Sequence, residues 1–288
     1  MEMKRKMEVK TLLADFVETK CKSQNEAAKL LKGVSSATIS NILNGKFESI
    51  SDDMFDNIYR QLVVGGDGWK FAETNVCREL SGILREAQEN SMSFWVIGNA
   101  GCGKSSTSKL YKKEHREVFS VVCSELMSTL EFLTEMARSV GANCSGCTKK
   151  EVLDNIADRL CSMESPLIIL DEADKLKDTS LYSLITIDNR IGNKAGIVML
   201  STEYGKKRLE KGIRLEKRGY REIWSRIGGR CYNLDKNGSM DIQAICIANG
   251  ISDPRTVKAI NNDVALAQYD LRRCERVIHK MKIKLGLK

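Results

Sequence analysis

Continuous apolar runs in the middle of the chain alternate with longer stretches in which apolar residues recur at helical spacing. The runs lie at 94–97, 117–123, 167–170 and 196–200, and a less apolar one lies at 229–234. Runs of this length are typical of strands that are covered on both faces. Strands that alternate with helices form a parallel sheet, and ligands bind at the carboxyl ends of such strands. The pattern therefore predicts an α/β domain with helices on both faces of a parallel sheet.

Both ends of the chain carry helical patterns without such runs. Residues 1–64 predict a small all-α domain, and residues 237–288 predict a helical subdomain after the sheet. The sequence GGDG at 65–68 predicts a flexible linker at 65–70, which leaves 71–236 for the sheet domain. The helices predicted in the two end regions are 24–31, 36–43, one from about residue 51, 241–248, 253–260 and 263–282.

The two helices at 24–31 and 36–43 form the pattern of a helix-turn-helix. Ser23 and Ser35 are expected to cap their N-termini, and Ala28 provides a small side chain where the helices would cross. The stretch resembles the Cro/repressor-like helix-turn-helix. This resemblance implies that the second helix enters the major groove of DNA, where small polar side chains approach base edges. A helical module for protein interaction is the alternative interpretation.

Candidate DNA contacts follow from this pattern and from two lysines beyond the apolar run at 167–170. Lys32 departs from the repressor pattern, because it adds one residue to the turn and so alters how the second helix docks. Lysine side chains contact phosphates, whereas short polar side chains can reach bases. The candidates are Lys32, Ser36, Thr38, Asn41, Lys46, Lys175 and Lys177.

The sequence GNAGCGKS at 98–105 carries the strongest chemical signal and follows the apolar run at 94–97 directly. It fits G-x-x-x-x-G-K-[ST], the phosphate-binding P-loop. Glycines let the backbone N–H groups point into one concavity, and the following helix presents its positive end to the same phosphates. We expect Lys104 to bind the β- and γ-phosphates and Ser105 to ligate Mg²⁺. The predicted nucleotide-binding residues are Gly98, Asn99, Ala100, Gly101, Cys102, Gly103, Lys104, Ser105 and Ser106.

Two carboxylates, Asp171 and Glu172, end the apolar run at 167–170. A hydrophobic strand that ends in Asp-Glu is typical of a Walker B site. Asp171 would hold Mg²⁺, and Glu172 would orient and deprotonate the attacking water. Together with the P-loop, this pair predicts hydrolysis of ATP, although a surface Asp-Glu pair is common in other proteins.

The net charge and the composition also indicate an acidic partner. The net charge is +8, which favours a partner such as nucleic acid. The segment 206–221 carries eight basic and two acidic residues, and it predicts either a solvated helix face or a surface that meets DNA or another subunit. No apolar run approaches the ~20 residues of a membrane span, so no membrane partner is expected. Ten cysteines without a framework spacing favour reduced thiols in the cytoplasm.

The P-loop, the Asp-Glu pair and the strand between them in sequence resemble those of the AAA+ ATPases. The resemblance implies that Thr202, at the end of the run at 196–200, is the sensor 1 residue that touches the γ-phosphate or its water. It implies that Arg226, or alternatively Arg230, is a finger that completes the site of a neighbouring subunit. It also implies that Arg272, or alternatively Arg273, is the sensor 2 residue of the lid. The residues to which it assigns catalytic roles are Lys104, Glu172, Thr202, Arg226 and Arg272.

The order of the domains is more particular than any one motif. A helix-turn-helix domain at 1–64, a linker, an AAA+ core at 71–236 and a helical lid at 237–288 together resemble the phage Mu B transposition protein family, the ATP-dependent target-DNA activators. The resemblance implies ATP and Mg²⁺ as cofactors and filaments that form with ATP on double-stranded DNA with little sequence preference. It further implies a DDE-type transposase as partner, in the cytoplasm of a bacterial host whose prophage or mobile element encodes the chain. A replication initiator, a helicase loader and a helix-turn-helix transcription regulator with an ATPase switch are the alternatives.

Overall fold

The computed structural model describes residues 3–21, 23–66 and 69–284 of the chain. The chain divides into two units, Met1–Phe71 with Lys280–Lys288, and Ala72–His279. This division lies next to the linker predicted for 65–70. Gly65 and Gly66 extend a helix, so the prediction of irregular structure is wrong for these two residues. Asp67 and Gly68 lie outside the described residues.

The described part of the first unit contains the helices α1 (Met3–Lys20), α2 (Gln24–Leu30), α3 (Ser36–Leu43) and α4 (Asp52–Gly66). The side chains of Ser23 and Ser35 accept hydrogen bonds from the first turns of α2 and α3, which confirms both predicted N-caps. Ala27 is fully buried in the core of the unit, whereas Ala28 is only partly buried. Ala28 also packs against this core, and the crossing of the helices at Ala28 stays a prediction.

The additional residue in the turn between α2 and α3 is held by α4. The backbone N–H of Lys32 donates to Gln61 Oε1 at 2.6 Å, and Gln61 Nε2 donates back to the Lys32 carbonyl at 2.9 Å. Asn57 Nδ2 also donates to this carbonyl, at 3.3 Å. The lengthened turn is thus fixed by side chains that no pattern in the turn itself would reveal.

The unit Ala72–His279 contains a five-stranded parallel sheet between helices, which confirms the predicted α/β fold. Its strands are β1 (Ser93–Ile97), β2 (Val118–Val122), β3 (Leu167–Asp171), β4 (Gly196–Ser201) and β5 (Cys231–Asn233). Its helices are α5 (Asn75–Glu89), α6 (Lys104–Glu114), α7 (Thr129–Val140), α8 (Lys149–Cys161), α9 (Asp178–Ile191), α10 (Glu203–Arg214), α11 (Tyr220–Arg226), α12 (Ser239–Ala248), α13 (Pro254–Leu266) and α14 (Leu271–Lys284), of which the residues from Lys280 onward are assigned to the first unit. In the described part of the chain, no helix is both long and apolar enough to cross a membrane.

The strand order β2-β3-β4-β1-β5 brings the predicted site residues to one edge of the sheet. β4 lies between β1, which leads into the P-loop, and β3, which ends at Asp171. The strand that separates them in the sheet is therefore β4, whereas β2, which separates them in sequence, lies beyond β3. Since all strands are parallel, their carboxyl ends meet at the same edge.

The last two helices differ from the prediction of one long helix at 263–282. Asp253 caps α13 and Pro254 is its first residue, but the helix continues to Leu266. Gln268 and Tyr269 then adopt left-handed backbone conformations, with φ of 53° and 60°. Two consecutive residues in this region cannot continue a right-handed helix. The chain therefore turns, and α14 starts anew at Leu271.

Candidate active site

The P-loop connects β1 to α6 through two glycines that are required by its backbone. Gly101 and Gly103 have φ of 72° and 109°, in the region that favours glycine. The N–H of Gly98 donates to the carbonyl of Ser201 at 3.1 Å, which ties the start of the loop to the end of β4. The loop is thus shaped by its own glycines and anchored to the neighbouring strand.

The N-terminus of α6 presents backbone donors to this loop. Gly103 is the N-cap, and no described side chain caps the helix. The backbone N–H of Thr107 donates to the carbonyl of Gly103 at 2.9 Å. The N–H groups of Lys104, Ser105 and Ser106 precede this bond and have no intrahelical acceptor. Uncapped N–H groups at the positive end of a helix form an anion site, as the P-loop prediction requires.

The ammonium of Lys104 folds over the same loop. Lys104 Nζ donates to the carbonyls of Gly98 at 2.6 Å and Asn99 at 2.9 Å. The side chain therefore already lies against the loop that would hold the phosphates. Phosphate oxygens would take the place of these carbonyls as acceptors for the ammonium.

The Asp-Glu pair lies at the carboxyl end of β3. Asp171 is buried, and its Oδ1 accepts a hydrogen bond from the N–H of Glu172 at 3.0 Å. Glu172 adopts a left-handed conformation with φ of 57°, which ends the strand abruptly. Burial first, and then the charges of Asp171, Asp174 and Glu172, raise the pKa of the Cys123 thiol to about 12. Three carboxylates therefore act on the same buried thiol at this edge of the sheet.

The donor set here fits the Mg²⁺ that the resemblance to AAA+ ATPases implies. A hydroxyl on Ser105 and a carboxylate on Asp171 are oxygen ligands, which Mg²⁺ prefers. The negative field that Cys123 experiences is the kind that a divalent cation neutralises. The cation, when bound, would reduce the negative charge around the phosphate oxygens.

The predicted sensor 1 residue, Thr202, lies beside this acidic edge. It follows β4 directly and occupies the N-cap position of α10. Its hydroxyl donates to Asp174 Oδ2 at 2.9 Å. Asp174 belongs to the short 3₁₀ turn Ala173–Lys175 that follows Glu172, so Thr202 joins β4 to the turn after β3.

The two lysines predicted as DNA contacts in this region have different environments. Lys175 Nζ donates to Glu172 Oε2 at 2.6 Å and forms an ion pair with it. Lys177 precedes α9 and is exposed. The catalytic candidate Glu172 is therefore paired with a lysine that the sequence pattern assigned to DNA.

The start of α14 docks on the P-loop through backbone and carboxylate contacts. The N–H of Leu271 donates to the carbonyl of Gly101 at 2.9 Å. A methyl group on Gly101 would lie only 2.0 Å from Asp270 Oδ1, so only glycine leaves room for this carboxylate. Asp270 Oδ1 also accepts a hydrogen bond from the N–H of Arg272, and this bond caps the N-terminus of α14. The loop and the predicted lid are thus in direct contact.

The two candidates for the sensor 2 residue differ in their bonding partners. Arg273 forms a two-bond ion pair with Asp263 on α13, at 2.6 and 2.9 Å. Arg272 is exposed and follows Leu271, whose backbone binds the P-loop. This arrangement favours Arg272 over Arg273 for contact with a bound nucleotide.

Both candidates for the finger have partners within the chain. Arg226 Nε donates to Asp188 Oδ2 at 2.7 Å, and its guanidinium also contacts Asn189. Arg230 lies with its guanidinium carbon 4.5 Å from the ring centre of Tyr232 and donates to the hydroxyl of that residue. Arg230 is exposed and Arg226 is partly buried, and both remain candidates for a role toward a neighbouring subunit.

Two residues that the sequence pattern did not single out support the site. Asn237 is buried, and its Nδ2 donates to the carbonyl of Cys102 in the P-loop at 3.0 Å.

Arg208 Nη1 donates to the carbonyls of Asp174 and Leu176, on either side of Lys175. Arg208 belongs to the basic segment 206–221, for which the sequence predicted a solvated face or a surface that meets DNA or another subunit. Its guanidinium instead binds backbone carbonyls of its own chain, so neither prediction applies to it. It is a structural residue that holds the turn after Glu172.

The Arg208 guanidinium also binds a carboxylate and a hydroxyl. Its Nη2 donates to Asp178 Oδ1 at 2.5 Å and its Nε to the Tyr220 hydroxyl at 3.1 Å. Burial opposes the charge on Asp178, but hydrogen bonds from Arg208 and Tyr220 lower the pKa of this carboxyl below its ordinary value. Because the folded-state pKa is the lower one, the ionised pair stabilises the fold at neutral pH. This stabilisation is lost as the pH falls through the folded-state pKa.

Replacement of Arg208 by glutamine should lower the free energy of unfolding by about 1.5–3 kcal/mol, the range for lost hydrogen bonds to charged groups. Urea denaturation at neutral pH measures this change. The matched control is Lys207→Gln on the same helix, because Lys207 is exposed and its replacement should change stability by less than about 0.5 kcal/mol. Equal stabilities of the two variants would show that Arg208 does not hold the turn.

Comparison with known proteins agrees with this geometry. Residues 87–209, from the end of α5 into α10, match the family model of the AAA domain. The chain is 24% identical to the ATP-dependent target DNA activator B of Escherichia phage D108 over 258 residues, which covers 83% of this chain and 81% of that protein. It is also 24% identical to the ATP-dependent target DNA activator B of Escherichia phage Mu, over 80% of this chain and 74% of that protein. The AAA match supports an ATPase core, and the phage relatives support the resemblance drawn from the domain order.

Proposed function

We propose that this chain is an ATPase that assembles with ATP on double-stranded DNA and delivers target DNA to a DDE-type transposase, which it activates. The observation that carries the proposal is the extent of the similarity to the phage activators. It covers 83% of this chain, far more than the AAA match at 87–209. A similarity confined to the ATPase core would support an ATPase of any purpose.

The arrangement at the sheet edge supports hydrolysis of ATP with Mg²⁺. Lys104 and the uncapped N–H groups of α6 bind the phosphates, and Ser105 and Asp171 hold the cation. Glu172 accepts a proton from the attacking water, and Thr202 orients that water or the γ-phosphate. The other nucleotide-binding residues of the loop, Gly98, Asn99, Ala100, Gly101, Cys102, Gly103 and Ser106, supply its shape and its backbone donors.

Completion of the site by a neighbouring subunit would link hydrolysis to assembly. Arg272 acts in the site of its own chain, because the residue before it binds the P-loop. Arg226, or Arg230, acts in the site of the next subunit. An arginine finger supplied by another molecule can accelerate phosphoryl transfer by roughly 10³–10⁵-fold. Isolated subunits would therefore hydrolyse ATP slowly, and subunits ordered along DNA would hydrolyse it faster.

The DNA contacts are proposed for two surfaces, each within one unit. In the first unit, Lys32 and Lys46 are exposed, while Ser36, Thr38 and Asn41 on α3 are partly buried. In the second unit, Lys175 and Lys177 are exposed on the segment between β3 and α9. With a net charge of +8, lysine contacts to phosphates would give affinity with little sequence preference and a strong dependence on salt.

The proposal is tested by electron microscopy of the full chain with random-sequence duplex DNA, in ATP and in ADP. Filaments are expected with ATP, and none with ADP. A footprint on one DNA sequence that is indifferent to the nucleotide would contradict the proposal and favour a transcription regulator. Binding to a replicative helicase, without stimulation of a transposase, would instead favour a helicase loader.

A further inference from the structure

Trp95 and Ser201 form a buried hydrogen bond between two neighbouring strands of the sheet. Trp95 lies on β1 and is fully buried, and Ser201 is the last residue of β4 and is 1% exposed. The indole Nε1–H of Trp95 donates to Ser201 Oγ at 2.8 Å. Ser201 lies opposite Ile97, two positions beyond Trp95, so the side chains of Trp95 and Ser201 are on the same face of the sheet. Diagonal neighbours of this kind are within reach of an aromatic side chain.

The hydroxyl of Ser201 links this bond to the next residue of the chain. A hydroxyl group has one proton, and Ser201 donates it to the Thr202 carbonyl at 3.1 Å. Because its oxygen accepts from Trp95, the hydroxyl is held in the orientation that this donation requires. The carbonyl of Ser201 accepts from the N–H of Gly98 at 3.1 Å, at the start of the P-loop. Ser201 is therefore bonded through its side chain to the P-loop strand and through its backbone to the loop itself.

The first turn of α10 packs directly on the Ser201 side chain. A methyl group on Gly205 would lie 2.3 Å from Ser201 Oγ and 2.8 Å from its Cβ, so only glycine permits this close approach. Ser201 is thus enclosed between β1 on one side and α10 on the other. Its hydroxyl has little room for another orientation, since protein interiors are closely packed.

Thr202 depends on these contacts for its own orientation. It occupies the N-cap position of α10, but its hydroxyl does not cap the helix. The hydroxyl donates instead to Asp174 Oδ2 at 2.9 Å. The carbonyl of Thr202 accepts from the Ser201 hydroxyl and from the N–H of Gly205, the latter at 2.9 Å. The backbone of Thr202 is therefore held by two donors, while its side chain bonds outside the helix.

We propose that Trp95 is a positioning residue for Thr202, because its indole N–H fixes the Ser201 hydroxyl and thereby the backbone that carries the Thr202 side chain. The inference rests on the proposed function, which assigns contact with the γ-phosphate or its water to Thr202. It adds a buried residue of the P-loop strand to those on which hydrolysis depends. A residue that acts on the orientation of a reacting group changes the rate of the chemical step and leaves the affinity for the nucleotide unchanged.

The experiment measures kcat and KM for ATP hydrolysis by the full chain with duplex DNA. Trp95→Phe keeps a large apolar side chain and removes the N–H donor. It should lower kcat by about 2- to 10-fold, the factor that corresponds to one hydrogen bond, and leave KM unchanged. Ser201→Ala should lower kcat by a similar factor, and it tests the inference even where Trp95→Phe does not fold. Trp224→Phe is the matched control, because Trp224 lies on α11 and packs against the same core, and it should keep the wild-type kcat.

A double-substitution cycle separates positioning from a loss of stability. In the Thr202→Val background, Trp95→Phe and Ser201→Ala should lower kcat no further. A merely structural role would lower kcat by the same factor in both backgrounds, and that result would overturn the inference. An unchanged kcat in Trp95→Phe and Ser201→Ala, beside a lowered kcat in Thr202→Val, would also overturn it and leave the proposed function intact. If Thr202→Val hydrolysed ATP at the wild-type rate, the role proposed for Thr202 would fail, and the inference with it.

Discussion

Replacement of Lys104 by alanine is expected to weaken ATP binding by on the order of 10²-fold, the factor that corresponds to about 3 kcal/mol for hydrogen bonds to a charged group. The ammonium already lies over the loop, on the carbonyls of Gly98 and Asn99. In the variant, the N–H groups of α6 would face the phosphates without a compensating cation. Assembly on DNA in the presence of ATP should be lost as a consequence. Titration with a fluorescent ATP analogue measures the loss of affinity for ATP directly.

Lys109→Ala is the matched control for this substitution. Lys109 lies on the same helix, five positions further on, and is exposed. Its removal changes the net charge by the same amount, so a general electrostatic effect would weaken ATP binding equally in both variants. Equal affinities of Lys104→Ala and the wild type would show that the loop does not bind phosphate in the expected way.

Replacement of Glu172 by glutamine is expected to lower kcat by about 10²–10⁴-fold, the contribution of a positioned general base. Glutamine has the same shape but does not accept the proton, so ATP binding should be retained. Because hydrolysis would no longer dissolve the complex, the assembled state on DNA should persist. Steady-state turnover measures the first effect, and the lifetime of complexes on DNA after dilution measures the second.

Glu125→Gln serves as the control for the loss of a negative charge in this region. Glu125 is exposed, and its charge acts on Lys175 as that of Glu172 does, but it lies outside the turn after β3. It should hydrolyse ATP within a few-fold of the wild type. A normal rate in Glu172→Gln would refute the assignment of Glu172 as the base.

Local sequence was sufficient for several elements of the site. A glycine at a left-handed position, a serine before a helix and an apolar run that ends in two carboxylates act within a few residues. The shape of the P-loop, the N-caps at Ser23 and Ser35 and the end of β3 at Asp171 could therefore be predicted. The end of α13 could not, because Gln268 and Tyr269 adopt left-handed conformations that their residue types do not require.

Local sequence patterns could not predict contacts between distant segments of the chain. Arg208 lies in a basic segment that predicted either a solvated helix face or a surface that meets DNA or another subunit. Only the fold brings it to the carbonyls of Asp174 and Leu176. The contact of Leu271 with Gly101 joins segments that are 170 positions apart in the chain. In the first unit, Gln61 on α4 holds the turn at Lys32, which lies between α2 and α3.

The sequence by itself determined the shape of the P-loop, the acidic strand end and the α/β alternation, because each depends on residue types at fixed short spacing. Only the tertiary structure decided which residues hold these parts in register. It placed β4 between the P-loop strand and the acidic strand, favoured Arg272 over Arg273 and paired Lys175 with Glu172. These outcomes depend on the path of the chain and on side-chain orientation. Spacing in the sequence does not specify either one.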